Sequence, residues 1–315
     1  MNSKGGREML NWDIFKDFKK GLSRRELSEK YFVKEWLLTT LYNIKNNAIP
    51  ESLILVLSDL HFGSIDMPDD FEENFFSNLK HVLDNIIYKN IDEVIIFELG
   101  DIIDNILHST QRENNPPIDL AITRAKKFFR DLIRLLEPDK LYYVVGNHDR
   151  LTKDLTDKHY ITLEIYNDLE YELELLNINT QLIKVNFPEI IKIKDWNIIL
   201  THGTFFKTLS GEVSGLTIKR MIADILHLTE TYNPDGSINK IEFIFMGHIH
   251  KLLNYRALGV EVFINGTSHR KKFHQNNIKT EDLGQWLLTL PPKSFCIKNN
   301  KLRPTIGTSI KVWCE

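Results

Sequence analysis

The run Leu53-Ile54-Leu55-Val56-Leu57 is apolar at every position, so neither face of it is suited to water. A strand of that kind is buried on both sides, which is the habit of parallel sheets covered by helices. The spacing predicts this strand over 53–58 and others over 93–99, 141–145, 197–200, 242–246 and 260–265. Between them, helical periodicity recurs near 71–89, 118–136, 160–176 and 216–230. Strands alternating with helices predict an α/β domain. Residues 181–194 read as two further strands, and Asn233-Pro234-Asp235-Gly236 as a turn.

Composition narrows the class. Of 315 residues, 42% are apolar and 26% charged, which excludes a disordered chain and permits a sizeable core. No run of ~18 apolar residues exists, so no membrane helix is predicted. The first ten residues are polar, with Lys4, Arg7 and Glu8, and lack the apolar core of a secretion signal. Cys296 and Cys314 are the only cysteines, which excludes a disulfide framework and a C-x-x-C metal site. A cytosolic protein without membrane partners is the expectation.

The head of the chain differs from the rest. Residues 1–50 hold 10 Lys+Arg against 6 Asp+Glu, a net +4, within a chain whose total is −3. Ile14, Phe15 and Phe18 follow Leu10 at helical spacing, and Gly21 interrupts. Ser23-Arg24-Arg25-Glu26 has the capping-box form, so a second helix begins near Arg24 with Leu27 inward. A third is predicted over 34–46, with Trp36, Leu37, Leu41 and Ile44 inward. The expected organisation is a helical segment over 1–50, a catalytic domain over 51–290 and a packed extension over 291–315.

The polar residues after the strands carry the chemistry. In order they are Asp59-Leu60-His61, Gly100-Asp101-Ile102-Ile103-Asp104, Gly146-Asn147-His148-Asp149, Thr201-His202-Gly203 and Gly247-His248-Ile249-His250. Ligands of open α/β sheets bind beyond the carboxyl ends of strands, so these residues are expected to converge. Imidazole with carboxylate suits borderline metals such as Zn, Mn and Fe, and the lack of thiolates favours an open, hydrolytic site. In Asp59-x-His61 and His248-x-His250, alternate residues of an extended chain would point the same way. Taken singly each residue has an ordinary use as a cap, turn or core residue. Their ordered recurrence at strand ends does not.

The order D-x-H, G-D-x-x-D, G-N-H-D, H-G, G-H-x-H resembles the signature of the calcineurin-like metallophosphoesterase superfamily, over roughly residues 52–270. The resemblance implies a four-layer α/β/β/α sandwich and a hydroxide activated by two divalent metal ions, Mn foremost, with Fe or Zn as alternatives. It implies that Asp59, His61 and His250 hold one metal, that Asn147, His202 and His248 hold the other, and that Asp101 bridges them. His148 resembles the proton donor to the leaving oxygen and Asp104 its carboxylate partner. Asp149 is expected to be a helix cap.

Protein phosphatases of the superfamily carry Arg after the second Asp of G-D-x-x-D and Glu after G-N-H, where this chain has Asn105 and Asp149. Asp59-Leu60-His61-Phe62-Gly63 with Gly146-Asn147-His148-Asp149 looks more like the DNA-repair nuclease branch. A phosphodiesterase or nuclease is therefore expected. The alternatives are a phosphomonoesterase or small-nucleotide phosphodiesterase, a non-catalytic scaffold, and a DNA-binding regulator. Residues 25–45 resemble a helix-turn-helix with Phe32 at the turn position usually held by Gly, which makes nucleic acid a candidate partner for residues 1–46. The alternatives for that segment are a helical cap on the enzyme and a protein–protein adaptor. A helix-turn-helix beside this catalytic domain also resembles calcineurin-like proteins of bacteriophages, for which the compartment would be the host cytoplasm. Arg150, Arg270 and Lys271 are candidate phosphate contacts, and 204–220 is either a lid or a connector.

Overall fold

Asn11 accepts the Ile14 amide at 3.1 Å and opens α1 (Trp12–Lys19). The capping box forms as predicted. Ser23 Oγ accepts the Glu26 amide at 3.3 Å and Glu26 accepts the Ser23 amide at 2.8 Å, opening α2 (Arg24–Tyr31). Phe32 closes α2 in the left-handed region (φ 54°, ψ 34°), the conformation a glycine would supply more cheaply. α3 (Glu35–Asn47) follows and buries Leu37, Leu38 and Leu41. Trp36 does not point inward as predicted but is 64% exposed. At about 100° per residue it lies on the far side of the helix from those three leucines. Because Phe32 is 87% exposed and contributes no core packing, Phe32→Gly is expected to raise stability by about 0.5–1 kcal/mol in urea denaturation.

The computed structural model describes residues 11–86, 89–104, 116–150, 159–204, 214–229, 240–268, 282–298 and 309–310. The predicted turn at 233–236, most of the 204–220 segment, and Asn105, Arg270, Lys271 and Cys314 lie outside them. The body continues with β1 (Glu51–Leu57), α4 (Phe71–Ile86), β2 (Ile91–Glu98), α5 (Ile118–Leu136), β3 (Lys140–Tyr143), α6 (Ile161–Leu175), β4 (Gln181–Lys184), β5 (Ile190–Ile193) and β6 (Trp196–Thr201). It ends with α7 (Gly215–Leu228), β7 (Phe243–Met246), β8 (Leu253–Ala257), β9 (Val260–Ile264), β10 (Gln285–Leu290), α8 (Lys293–Lys298) and β11 (Ser309–Ile310). Among the described residues no helix is long and apolar enough to cross a membrane.

Among the described residues two sheets form, ordered β11-β10-β1-β2-β3-β4 and β5-β6-β7-β9-β8. β1 to β4 run parallel, as do β6, β7 and β9. Alternate residues of each strand feed different cores. Ile54, Val56, Ile95 and Phe97 face Ile198, Leu200, Phe243 and Phe245 between the sheets. Leu53, Leu55, Leu57, Val94 and Ile96 pack outward against α4, α5 and α6. Ile199, Ile244 and Val262 pack outward against α7. The architecture is the expected α/β/β/α sandwich. Beyond β10, the Trp196 indole donates to Pro291 O at 2.8 Å and Cys296 joins the core between the sheets.

The head packs on the outer helical layer. The Trp12 amide donates to Asp84 Oδ1 at 3.0 Å and the Trp12 indole to Leu135 O at 3.1 Å. Lys19 pairs with Asp139 at 2.8 Å and Lys20 with Glu137 at 2.7 Å, while Asn90 donates to Ala48 O at 2.7 Å. Asn90 and Asp139 immediately precede β2 and β3. The head therefore sits at the amino ends of these strands, opposite the loops that carry the polar motifs.

Candidate metal centre

Because β1, β2 and β3 are parallel in one sheet and β6 and β7 in the other, their carboxyl ends meet at one edge of the sandwich. There the backbone is not extended. Asp59 (φ 52°), His61 (51°), Asp101 (58°), His248 (67°) and His250 (55°) are all left-handed. The pairs Asp59-x-His61 and His248-x-His250 thus reach the site from a tightly turned chain, not from the alternation of a strand. This conformation costs about 1–2 kcal/mol per residue and persists only where the surroundings over-determine it. They do so here. The Asp59 amide donates to Gly100 O at 3.0 Å, His61 to Asp101 O at 3.0 Å, and Phe62 to Ile102 O at 2.7 Å. The His248 amide donates to both Asp59 carboxylate oxygens, at 3.0 and 3.2 Å.

Asp59, His61 and His250 come together with ligand atoms within 4.8 Å of one another, as do Asp101, His202 and His248. In the first group His250 Nε2 lies 3.2 Å from Asp59 Oδ1 and 3.3 Å from His61 Nε2. In the second His202 Nε2 lies 3.0 Å from Asp101 Oδ2 and 3.1 Å from Asn147 Oδ1. A third group, His61, Asp104 and His148, adjoins the first. There His148 Nδ1 is 3.1 Å from Asp104 Oδ1, and the His61 and His148 rings meet edge to face at 4.8 Å. Asp59, His61, Asp101 and His202 are buried, whereas Asn147, His148, His248 and His250 are partly open to solvent.

The donor chemistry fits cations. Leu99 O can only accept, so His202 Nδ1 donates to it, at 2.7 Å. In the neutral ring the Nε2 lone pair then faces the oxygens of Asp101 and Asn147, three acceptors with no proton among them. A proton on Nε2 would resolve this, as would a cation held by all three atoms, the two oxygens standing 3.0 and 3.1 Å from Nε2. The same spacing between His250 and Asp59 suits a second cation. No thiolate takes part, so the metal would be held by oxygen and imidazole alone.

The electrostatics agree. Burial opposes charge on His202, but the Asp101 carboxylate beside it raises the imidazole to about 9. Burial likewise opposes charge on Asp101, yet His202 holds that carboxyl well below the usual range. Burial, and then His202, push His248 down to about 4. Metal must displace the His202 proton. Affinity in the metal-stripped protein should therefore climb with pH up to about 9, with proton release visible by titration calorimetry in buffers of different ionisation enthalpy. The stability supplied by the His202–Asp101 pair in that protein is complete between about 3.8 and 6.5 and is lost as pH rises through about 9. It is lost again as pH falls below the ordinary carboxylate range and Asp101 takes up its proton. His248 acts in the other window, costing stability as pH falls from about 6.5 towards 4.

Other residues outside the five motifs hold this edge together. Ser58 Oγ donates to Asp59 Oδ2 at 2.5 Å. Thr267 Oγ1 donates to Asp59 O at 3.1 Å and Ser268 Oγ to Leu60 O at 2.6 Å. Gln285 accepts the Ser58 amide at 2.9 Å and returns a bond to Ser58 O at 3.2 Å. Asn265-Gly266-Thr267-Ser268 is the polar run after β9, so the strand-end rule that found the other motifs also reaches it. Asp149 is not a helix cap, since the residue after it, Arg150, forms a β-bridge with Tyr160 and does not open a helix. Its fully buried carboxylate accepts the amides of Gly146 (2.8 Å), Asp101 (3.0 Å) and Ile103 (3.2 Å). Arg150 is half-buried and forms an isolated antiparallel bridge with Tyr160, outside the three groups.

No curated protein matches the chain. Among solved structures it is similar to a Vps29 single mutant from Entamoeba histolytica, at 15% identity over 76% of this chain and 87% of that one, with a TM-score of 0.36. It is also similar to Yfce, a phosphoesterase from E. coli, at 14% identity over 82% of this chain and all of that one (TM-score 0.34). The family described as calcineurin-like phosphoesterase matches residues 52–252, which hold every residue of the groups above. More than half of the chain is thereby accounted for, and the protein belongs to the calcineurin-like phosphoesterases, hydrolases of phosphoester bonds.

Proposed function

We propose that the bond cleaved is a phosphodiester of nucleic acid. In this reading Asp59, His61 and His250 hold one divalent cation, Asn147, His202 and His248 the other, and Asp101 stands between them. The observation that carries it is the meeting of two imidazole–carboxylate groups at one sheet edge beside a separate His148–Asp104 pair. When bound, such a pair of cations would lower the pKa of a shared water and neutralise phosphate oxygens. The chain's own residues do the rest. Asp104 accepts from His148 Nδ1, which fixes the ring's orientation and supports the imidazolium, whose Nε2–H would supply the proton to the departing oxygen. The Asp104 amide is itself tied to Phe62 O at 2.9 Å, so the pair is rigid. His148 is 17% exposed, enough to meet a substrate at the rim.

The polynucleotide assignment is supported by the likeness of D-L-H-F-G and G-N-H-D to the nuclease branch and by the net +4 of residues 1–50. Residues 1–46 are proposed as a second contact, through basic side chains on α2 and α3. Reversing the exposed Arg24 and Lys34 to Glu should then weaken polynucleotide binding in low salt while leaving small-diester hydrolysis intact.

The test is a manganese-dependent panel of single- and double-stranded DNA, RNA, an aryl phosphodiester and an aryl phosphomonoester, with Asp101→Asn as control. Polynucleotide cleavage that disappears in Asp101→Asn, together with metal content, supports the proposal. Turnover confined to the small esters rejects nucleic acid as substrate.

A further inference from the structure

We infer that Asp149 is a positioning residue that fixes the bridging carboxylate against the proton donor. The inference rests on the metal reading above and goes beyond it, since Asp149 belongs to none of the candidate ligand groups. In Gly146-Asn147-His148-Asp149 the side chains of Asn147 and His148 face the site, and that of Asp149 turns inward. Its carboxylate takes amides from two different loops. Gly146 donates from the loop after β3, while Asp101 and Ile103 donate from the loop after β2. The return bond comes from the other side, since His148 N donates to Asp101 Oδ1 at 2.8 Å.

The two carboxylates thus clamp each other's loops. Asp149 holds the backbone that bears Asp101, and Asp101 holds the backbone that bears His148. One consequence is an assignment of oxygens on Asp101. Oδ1 is occupied by the His148 amide, and Oδ2 faces His202. A second concerns distance. His148 is bonded to Asp101 through its amide and to Asp104 through its ring, and Asp104 lies in the loop that Asp149 pins at Asp101 and Ile103. The spacing between the metal face and the proton donor is therefore set through Asp149. A carboxylate is the group suited to this place. It accepts on both oxygens, whereas an amide of the same shape accepts on one and turns an N–H₂ towards N–H donors.

The test uses the full chain and Asp149→Asn. Metal-stripped variant and wild type are compared by thermal melting, then titrated with Mn²⁺ by calorimetry. Hydrolysis is read on aryl diesters of graded leaving-group pKa. Loosening a partner behind metal ligands typically weakens metal binding about 10–100-fold, and that loss is expected here. The fall in turnover should steepen with leaving-group pKa, because the proton donor is displaced relative to the cations. A merely structural Asp149 would lower the melting temperature and leave both the Mn²⁺ affinity and the leaving-group slope unchanged, which overturns the inference. Should Asp149→Asn fail to fold, hydrogen exchange on the unaltered protein decides. The amides of Asp101, Ile103 and Gly146 must open together and slowly, and independent fast exchange refutes the clamp. A wild-type chain that binds no Mn²⁺ would instead reject the metal reading, so the two failures are distinguishable.

Discussion

Gly146→Ala is expected to abolish hydrolysis and most of the metal affinity while the domain stays folded. A Cβ at this position would lie 2.1 Å from Asp101 Oδ1 and 2.2 Å from the Asp101 amide nitrogen. Neither atom has room to retreat. The amide is pinned by Asp149 and the oxygen by the His148 amide. Gly146 does not need a left-handed backbone. It needs the absence of a side chain, because the loops after β2 and β3 touch there. The methyl must push Asp101 out of line with both His202 and His148. A displacement near 1 Å at such a residue costs about 100-fold in rate, and loss of a shared ligand costs more. Gly259→Ala is the control. That glycine is left-handed (φ 80°) in the turn between β8 and β9, with nothing within 4 Å of the added atom. It should lose about 1 kcal/mol of stability and no activity. A Gly146→Ala protein that keeps metal and turnover would show that Asp101 is not held as described.

The same residue shows where sequence reading reached and where it stopped. The buried apolar strands, the capping box at Ser23 and the convergence of strand-end motifs are local signals, and local signals survive folding. The left-handed backbone at Asp59, His61, Asp101, His248 and His250 was not legible, because bonds between loops distant in sequence enforce it. Spacing identified those residues as partners for the wrong conformational reason. The motif suggests a cap at Asp149, and its actual role is hidden for a related reason. Its donors lie 46 and 48 residues away as well as next door, and nothing in the motif records them. β8 reads Leu-Asn-Tyr-Arg-Ala and is a half-exposed edge strand without an apolar run, so it escaped notice. β10, Gln-Trp-Leu-Leu-Thr-Leu, does carry such a run, and the criterion applied to β1 covers it. Hydropathy alone favours an inward Trp36, whereas the angular position of Leu37, Leu38 and Leu41 decides which face of α3 is buried.

Removing residues 1–47 should lower the melting temperature by about 10–20 °C, with hydrolysis of a small diester preserved at low temperature. Trp12 and Phe15 stack with ring centroids 4.9 Å apart and are 3% and 5% exposed, within the core shared with α4 and α5. Uncovering that surface forfeits about 3–6 kcal/mol, a large part of a domain's usual margin. The ion pairs Lys19–Asp139 and Lys20–Glu137 are partly exposed and add at most about 1 kcal/mol each. The site lies at the other end of β2 and β3, so its geometry does not depend on the head directly. Loss of stability without loss of turnover is thus the signature of a docked helical layer. An unchanged melting temperature would mean that the head contributes no net stability. Weaker polynucleotide binding in that same truncated protein would then leave substrate contact as the reason for its basic residues.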